Sequence, residues 1–247
     1  MYLRQLVVVS LLLPLAGCGR DVGHSITVAA AANLSGAFQQ VAARFTAESG
    51  VGVVYSYAST AQLAHQVEGS APFDVFAAAD IGHVDALVEK GLLLAETRAI
   101  YARGQLALWI PRGEPAADVL VLTHPSIRFI AIAKPAAAPY GQAAVETLHS
   151  SGIWANVQPK IVYAGNIGMA KQFAATGNAD AAFTAYSLLL GEKGTIVVVD
   201  PKLHAPLDQA LAVVASSRQP KNARRFVAFV LGSGGRSILS KYGYKVP

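Results

Sequence analysis

Apolar residues recur in two rhythms along this chain. Short runs rich in β-branched and small residues alternate with stretches in which apolar positions return every three or four residues, the signatures of strand and helix. The first such pair lies at Ile26 to Phe45, ITVAAAANLSGAFQQVAARF. Ile26-Thr27-Val28, running into a string of alanines, predicts a short buried strand. Leu34, Phe38, Val41 and Phe45 then share one face of a predicted helix. Asn33 stands between them, where a helix N-cap belongs. A helix N-terminus offers unpaired N–H groups and the positive end of the dipole, which together suit an anion. By itself the junction is equally an ordinary strand–helix unit.

The junction recurs. Val51 to Ala58 reads as a strand, followed by Ser59-Thr60-Ala61 and a helix with Leu63, Ala64 and Val67 inward, stopped at Gly69. Ser59 and Thr60 are natural caps as well as hydroxyl donors. Asp74 to Ala79 is a third apolar run, followed by a helix carrying Ile81, Val84, Leu87 and Val88 and ending at Gly91. Gln105 to Ile110 and Arg128 to Ala133 are further strands, with an irregular Arg112 to Pro125 between them. The loop Lys134 to Gly141, KPAAAPYG, is stiffened by proline and precedes a helix bearing Ala144, Val145 and Leu148. Lys160 to Ala164 predicts a strand, and Gly165-Asn166-Ile167 leads a helix with Ala170, Phe173 and Ala174 on its face. Ala181 to Ala185, Thr195 to Val199 and Leu207 to Ala215 complete the predicted strands. Pro220 opens a helix striped by Ala223, Phe226, Val227, Val230 and Leu231. Gly232 to Gly235 predicts a break before a short helix at Ser237 to Tyr242.

Alternation of this kind predicts an α/β fold with mostly parallel sheets covered by helices. The grammar occurs twice, which divides the chain into two lobes. Residues 26–104 and 206–247 form lobe 1, and residues 105–205 form lobe 2. The chain would cross near Gly104 and again near Ala205, a two-strand hinge.

Composition narrows the function. The net charge of +5 is mild and contains no run of Lys or Arg, which argues against a nucleic-acid surface and modestly favours a small anion. Lys134 and Lys171 lie near the loops and read as solvent-facing steering charges. No G-x-S-x-G, Walker A or H-E-x-x-H motif occurs, and the 6 histidines show no metal-ligand spacing. An enzyme is therefore not expected, and neither a cofactor nor a directly ligated metal cation.

Residues 1–17 read as a signal peptide, with Arg4 ahead of the apolar run Leu6 to Leu15. Leu15-Ala16-Gly17-Cys18 resembles the bacterial lipobox, which implies a lipidated Cys18 as the first mature residue. Cys18 is the only cysteine, so the exported chain would hold no disulfide. Residues 18–25 would be a tether, leaving a lipoprotein anchored on the periplasmic or extracellular face of a membrane.

Six stretches together resemble one family. They are AAANL (Ala30 to Leu34), YAST (Tyr57 to Thr60), GSAPFDVFAAAD (Gly69 to Asp80), the APYGQAAVETL stretch ending at Leu148, GNIGMAKQFAATGNADAAF (Gly165 to Phe183) and KYGY (Lys241 to Tyr244). The chain is similar, from about Ile26 to Tyr244, to the molybdate-binding proteins of bacterial ABC transporters, of the type II periplasmic binding protein fold. The resemblance implies a tetrahedral oxyanion held between the lobes by neutral donors from four loops. It implies side-chain donors at Asn33 and Thr60, with Ser59 as a fallback, and backbone N–H donors at Tyr140 and Ile167. It also implies molybdate or tungstate as ligand, a membrane permease as partner, and a monomer. Two positions depart from the family pattern: Ala185 stands where one branch has a tyrosine donor, and Ala79 where serine is more usual. The triplet Pro139-Tyr140-Gly141 resembles a second branch without that tyrosine.

A buried dianion needs each oxygen hydrogen-bonded, and helix N-termini with neutral side chains can supply that. Affinity between roughly micromolar and nanomolar asks the site for about 8–12 kcal/mol net. Two other readings keep the fold: a binding protein for another oxyanion such as sulfate, and a surface protein without a transport role. No arginine stands at the four junctions, which disfavours a carboxylate ligand.

Overall fold

The computed structural model describes residues 25–113 and 115–247. The expected signal peptide and Cys18 lie outside the described residues. Of the expected tether only Ser25 is described, and it is the first residue of a strand.

The described residues form two five-stranded sheets. The first part of the chain runs β1 (Ser25–Ala31), α1 (Ser35–Ser49), β2 (Gly52–Ala58), α2 (Thr60–Glu68), β3 (Val75–Ala77), α3 (Gly82–Glu89) and β4 (Ala99–Arg103). It continues as β5 (Leu106–Ile110), β6 (Ile130–Ala133), α4 (Pro139–Ser150), α5 (Trp154–Val157), β7 (Ile161–Ala164), α6 (Ile167–Ala175), β8 (Ala181–Ala185) and β9 (Thr195–Val198). The last part is β10 (Asp208–Val213), α7 (Pro220–Leu231) and α8 (Ser233–Lys241).

Strand orders are β2-β1-β3-β10-β4 and β7-β6-β8-β5-β9. The two orders are the same pattern. In each, three parallel neighbours are followed by one reversed strand and then a strand that restores the common direction. The reversed strand is β10 in the first sheet and β5 in the second, in each case the first strand after the chain crosses over. Both sheets are thus mostly parallel. The carboxyl ends of β1, β2, β6 and β7 each lead into a helix, so the carboxyl ends of the parallel strands in both sheets carry helix N-termini.

The core explains why β1 is so rich in alanine. Val28 to Ala31 is buried on both faces, where only small side chains leave room for a helix on each side. One face meets α1, whose Ala37, Phe38, Val41 and Phe45 are buried as the periodicity predicts. Phe38 is the centre of an aromatic group, with ring centroids 5.7 Å from Tyr55, 6.1 Å from Tyr101 and 6.1 Å from Phe226 of α7. The other face holds Leu63, Phe76, Val84 and Leu87.

The two crossings touch. Gly104 N–H donates to Leu207 O at 2.9 Å, and Arg103 pairs with Lys245 in an isolated antiparallel bridge. A Cβ at Gly104 would collide with the Tyr140 hydroxyl and the Gln209 amide, so only glycine fits.

Several local expectations need correction. Asn33 does not cap α1: it lies inside a 3-10 turn, Ala32–Leu34, and α1 begins without a side-chain cap. The KPAAAPYG loop is shorter than expected, because Pro139 takes the first helical position of α4 and Tyr140 and Gly141 belong to its first turn. The expected break at Gly232 to Gly235 is confined to Gly232, and α8 already runs from Ser233. Strand β4 and helix α5 were not foreseen. Lys171 is not a free steering charge: it pairs with Glu192 at 2.6 Å and lies over the Trp109 ring. Lys134 is exposed.

Candidate functional site

Four strand–helix junctions converge. After β1, the 3-10 turn carries Asn33 inward, leaving it 1% exposed. Its side-chain Nδ2 donates to Gln209 Oε1 and to the Tyr244 hydroxyl, both at 3.0 Å. Its backbone oxygen accepts from Ser187 Oγ at 2.9 Å and Tyr244 at 2.8 Å. Ser187 comes from the second half of the chain, so elements of both sheets meet on Asn33.

After β2, Ser59 closes a capping box. Its hydroxyl donates to Gln62 Oε1 at 2.9 Å and accepts from Gln62 N–H at 3.4 Å. That hydroxyl proton is thus engaged within α2. Thr60, next along, is buried at the first helical position. Its Oγ1 accepts from Ala79 N–H at 3.1 Å, which leaves its own proton to donate. Ala79, where serine is more usual, serves through its backbone. Ala61 N–H reaches across to Ala137 O at 3.2 Å, bridging α2 to the loop ahead of α4.

After β6, Ala137 and Ala138 N–H both turn back onto Lys134 O. Pro139 has no N–H, so Tyr140 carries the first donor that α4 presents, and first-turn donors have no intrahelical partner. Gly141 lies so close to Ala133 O that a Cβ there would overlap it. The Tyr140 side chain points the other way and accepts from Gln209 Nε2 at 3.0 Å. After β7, Asn166 caps α6 by accepting from Met169 N–H at 2.9 Å. Ile167 is the first helical residue behind that cap and is buried.

Asn33, Ser59, Thr60, Tyr140 and Ile167 all line one small cavity, with room for about 10 Å³ of water-sized solvent. Among the described residues no charged side chain lines it. The phenols of Tyr101, Tyr140 and Tyr244, pushed well up by burial, stay neutral donors. The cavity lining is thus neutral, with helix first-turn N–H groups, a hydroxyl and a carboxamide around it. Such a set satisfies an anion without a counter-charge. Ala185 ends β8 and is fully buried, and neither it nor Tyr186 lines the cavity. A larger groove bounded by Arg112, His124 and Asp180 includes none of these residues.

A polar layer behind the cavity was not anticipated. Gln209 is fully buried on β10 and contacts Asn33, Tyr140 and Tyr101, the last at 2.8 Å. Tyr244 joins it from the C-terminal tail, reaching Ser187 Oγ at 3.0 Å. The one signal in the sequence was a lone glutamine in the apolar run Leu207 to Val214. A buried polar side chain in such a strand needs partners.

The family model for bacterial extracellular solute-binding proteins matches residues 26–245. The molybdate-binding protein ModA of Rhodobacter capsulatus is 32% identical over 220 residues, covering 89% of this chain and 87% of that protein. ModA of Azotobacter vinelandii is 32% identical over 245 residues, covering 96% of each. The solved periplasmic molybdate-binding protein of Azotobacter vinelandii superposes with a TM-score of 0.85 at 30% identity, covering 90% of this chain and 99% of that one. The chain belongs to the bacterial extracellular solute-binding proteins, in the family of the ModA molybdate-binding proteins.

Proposed function

We propose that this protein captures molybdate, or tungstate, in the cavity between its two sheets and delivers it to a membrane permease. The observation that carries the reading is the convergence of Asn33, Thr60, Tyr140 and Ile167 on one small space whose described lining holds no charged residue. In this reading the Thr60 hydroxyl and the Asn33 carboxamide donate to the oxyanion. The N–H groups of Tyr140 and Ile167 donate from the opposite lobe, and Ser59 holds α2 in place through its cap. An all-donor site favours a fully deprotonated anion, because a protonated one brings an O–H that needs an acceptor.

The division into 26–104 with 206–247 and 105–205 gives each lobe two of the four junctions. Opening about the crossings at Gly104 and Ala205 would separate the donors and release the ligand. The closed face would dock on an ABC permease, with the protein a monomer held at the periplasmic or extracellular face of a membrane through a lipid on Cys18. No chemical conversion is part of this role.

Calorimetric titration of the purified protein with molybdate, tungstate, sulfate and phosphate tests the reading. Tight binding of the first two, weakened by Asn33→Ala and by Thr60→Ala, supports it. A folded protein silent toward both overturns the ligand assignment.

A further inference from the structure

The carboxamide of Asn33 has a donor edge and an acceptor edge, and only one can face the cavity. In the structure Nδ2 is spent on Gln209 Oε1 and the Tyr244 hydroxyl, neither of which lines the cavity. Oδ1 is buried and, among the described residues, has no hydrogen-bond partner. The edge left for the cavity is therefore the acceptor. An acceptor repels a fully deprotonated oxyanion.

Reversing the Asn33 amide would present Nδ2 to the anion. Oδ1 would then lie 3.0 Å from both the Tyr244 hydroxyl and Gln209 Oε1. Tyr244 can turn its proton to it, since Ser187 Oγ also donates to Asn33 O, but the repelling oxygen of Gln209 needs a donor in its place. Gln209 can supply one only by reversing as well. Its Nε2 would turn to Asn33 and its Oε1 to Tyr140. The Tyr140 hydroxyl, which accepts from Gln209 at 3.0 Å, would donate instead. The Tyr101 hydroxyl retains Ala78 O as an acceptor at 2.9 Å, so it tolerates an N–H beside it. After the double reversal each of these groups has a partner, the orphaned Oδ1 included.

We propose that Gln209 is a positioning residue: the orientation of its buried amide decides which edge of Asn33 faces the oxyanion. The inference rests on the ligand reading above and deepens it. It makes Gln209 the determinant of selectivity between fully deprotonated oxyanions and those carrying a proton. With both amides reversed the cavity is all donor. With both as in the structure it holds one acceptor, suited to the O–H of hydrogen phosphate.

The test is a double-mutant cycle read by titration with molybdate and with hydrogen phosphate. Gln209→Met keeps the volume and removes both edges of the Gln209 amide, so Asn33 loses the partner that sets its orientation. Molybdate affinity should fall about 10-fold, the loss of one hydrogen bond to a charged group. Hydrogen phosphate should lose less, shifting the selectivity ratio. In an Asn33→Ser background the hydroxyl rotates freely, and Gln209→Met should cost less than about 3-fold, a non-additivity that marks action through Asn33. Equal losses in both backgrounds, or an unchanged selectivity ratio, overturn the inference. Should circular dichroism show Gln209→Met unfolded, Gln209→Leu closes the same cycle with the same expected losses, and equal losses there overturn it too. Silence of the unaltered protein toward molybdate is a separate result, which overturns the ligand reading and this inference with it.

Discussion

Gln209, on the strand that re-enters the first sheet, donates to the hydroxyl of Tyr140, on a helix of the second, at 3.0 Å. The bond passes directly beside Gly104, where the chain makes its first crossing. Tyr140 therefore links the first crossing to the cavity: its hydroxyl lies beside Gly104 and its residue lines the cavity.

Gly104→Ala should disrupt that coupling. The added methyl collides with both the Tyr140 hydroxyl and the Gln209 amide. Overpacking of a buried site costs typically about 1–3 kcal/mol. Thermal unfolding should show a lowered Tm, and titration should show weakened ligand binding in the same variant.

Thr60 offers a cleaner separation of fold from binding. Thr60→Ser retains the oxygen that accepts from Ala79 N–H and the proton that faces the cavity, and should bind within a few-fold of the unaltered protein. Thr60→Val removes both and leaves the Ala79 N–H buried without its partner. Titration should show a loss of affinity of about 10- to 100-fold, as expected for one hydrogen bond to a charged group.

Phe38→Ala tests the core that carries the first junction. Its ring contacts Tyr55, Tyr101 and Phe226 and is fully buried. Such truncations cost about 3–5 kcal/mol. Urea unfolding should show a lower midpoint with little change in slope.

His83 adds a pH dependence. Its Nδ1 lies 2.7 Å from Asp80 Oδ2, and that hydrogen bond raises its pKa above 6.5 against the opposing effect of burial. A raised folded-state pKa means the pair stabilises the fold fully below about 6.5 and loses that contribution as pH rises through the folded value. With both side chains partly exposed the effect is under about 1 kcal/mol. Urea unfolding at pH 6 and pH 8.5 should show a drop in the unaltered protein that His83→Gln reduces.

Much of this architecture was legible because it is local. The stripe Leu34, Phe38, Val41 and Phe45, the cap at Ser59 and the first-position Pro220 all depend on residues within a turn or two. The positions that line the cavity were legible for the same reason, each sitting at a strand–helix junction. What stayed hidden depends on distance along the chain. Asn33 looked like a cap because its partners, Gln209 and Tyr244, are 176 and 211 residues away. Strand β4 was missed because it lies at a sheet edge, half exposed, and its partners, β10 and Lys245, are more than a hundred residues on. Tyr140 was read for its backbone alone, since nothing near it in sequence announces a hydroxyl partner on a distant strand.

Crystals grown with molybdate and measured at the molybdenum absorption edge would locate the bound anion. An anomalous peak is expected inside the cavity, within hydrogen-bond distance of Thr60 Oγ1 and of the N–H groups of Tyr140 and Ile167. Density showing Asn33 Nδ2 turned toward that peak would accompany it. A saturated crystal whose anomalous peak lies away from these four residues, or that shows none, would contradict the proposed site.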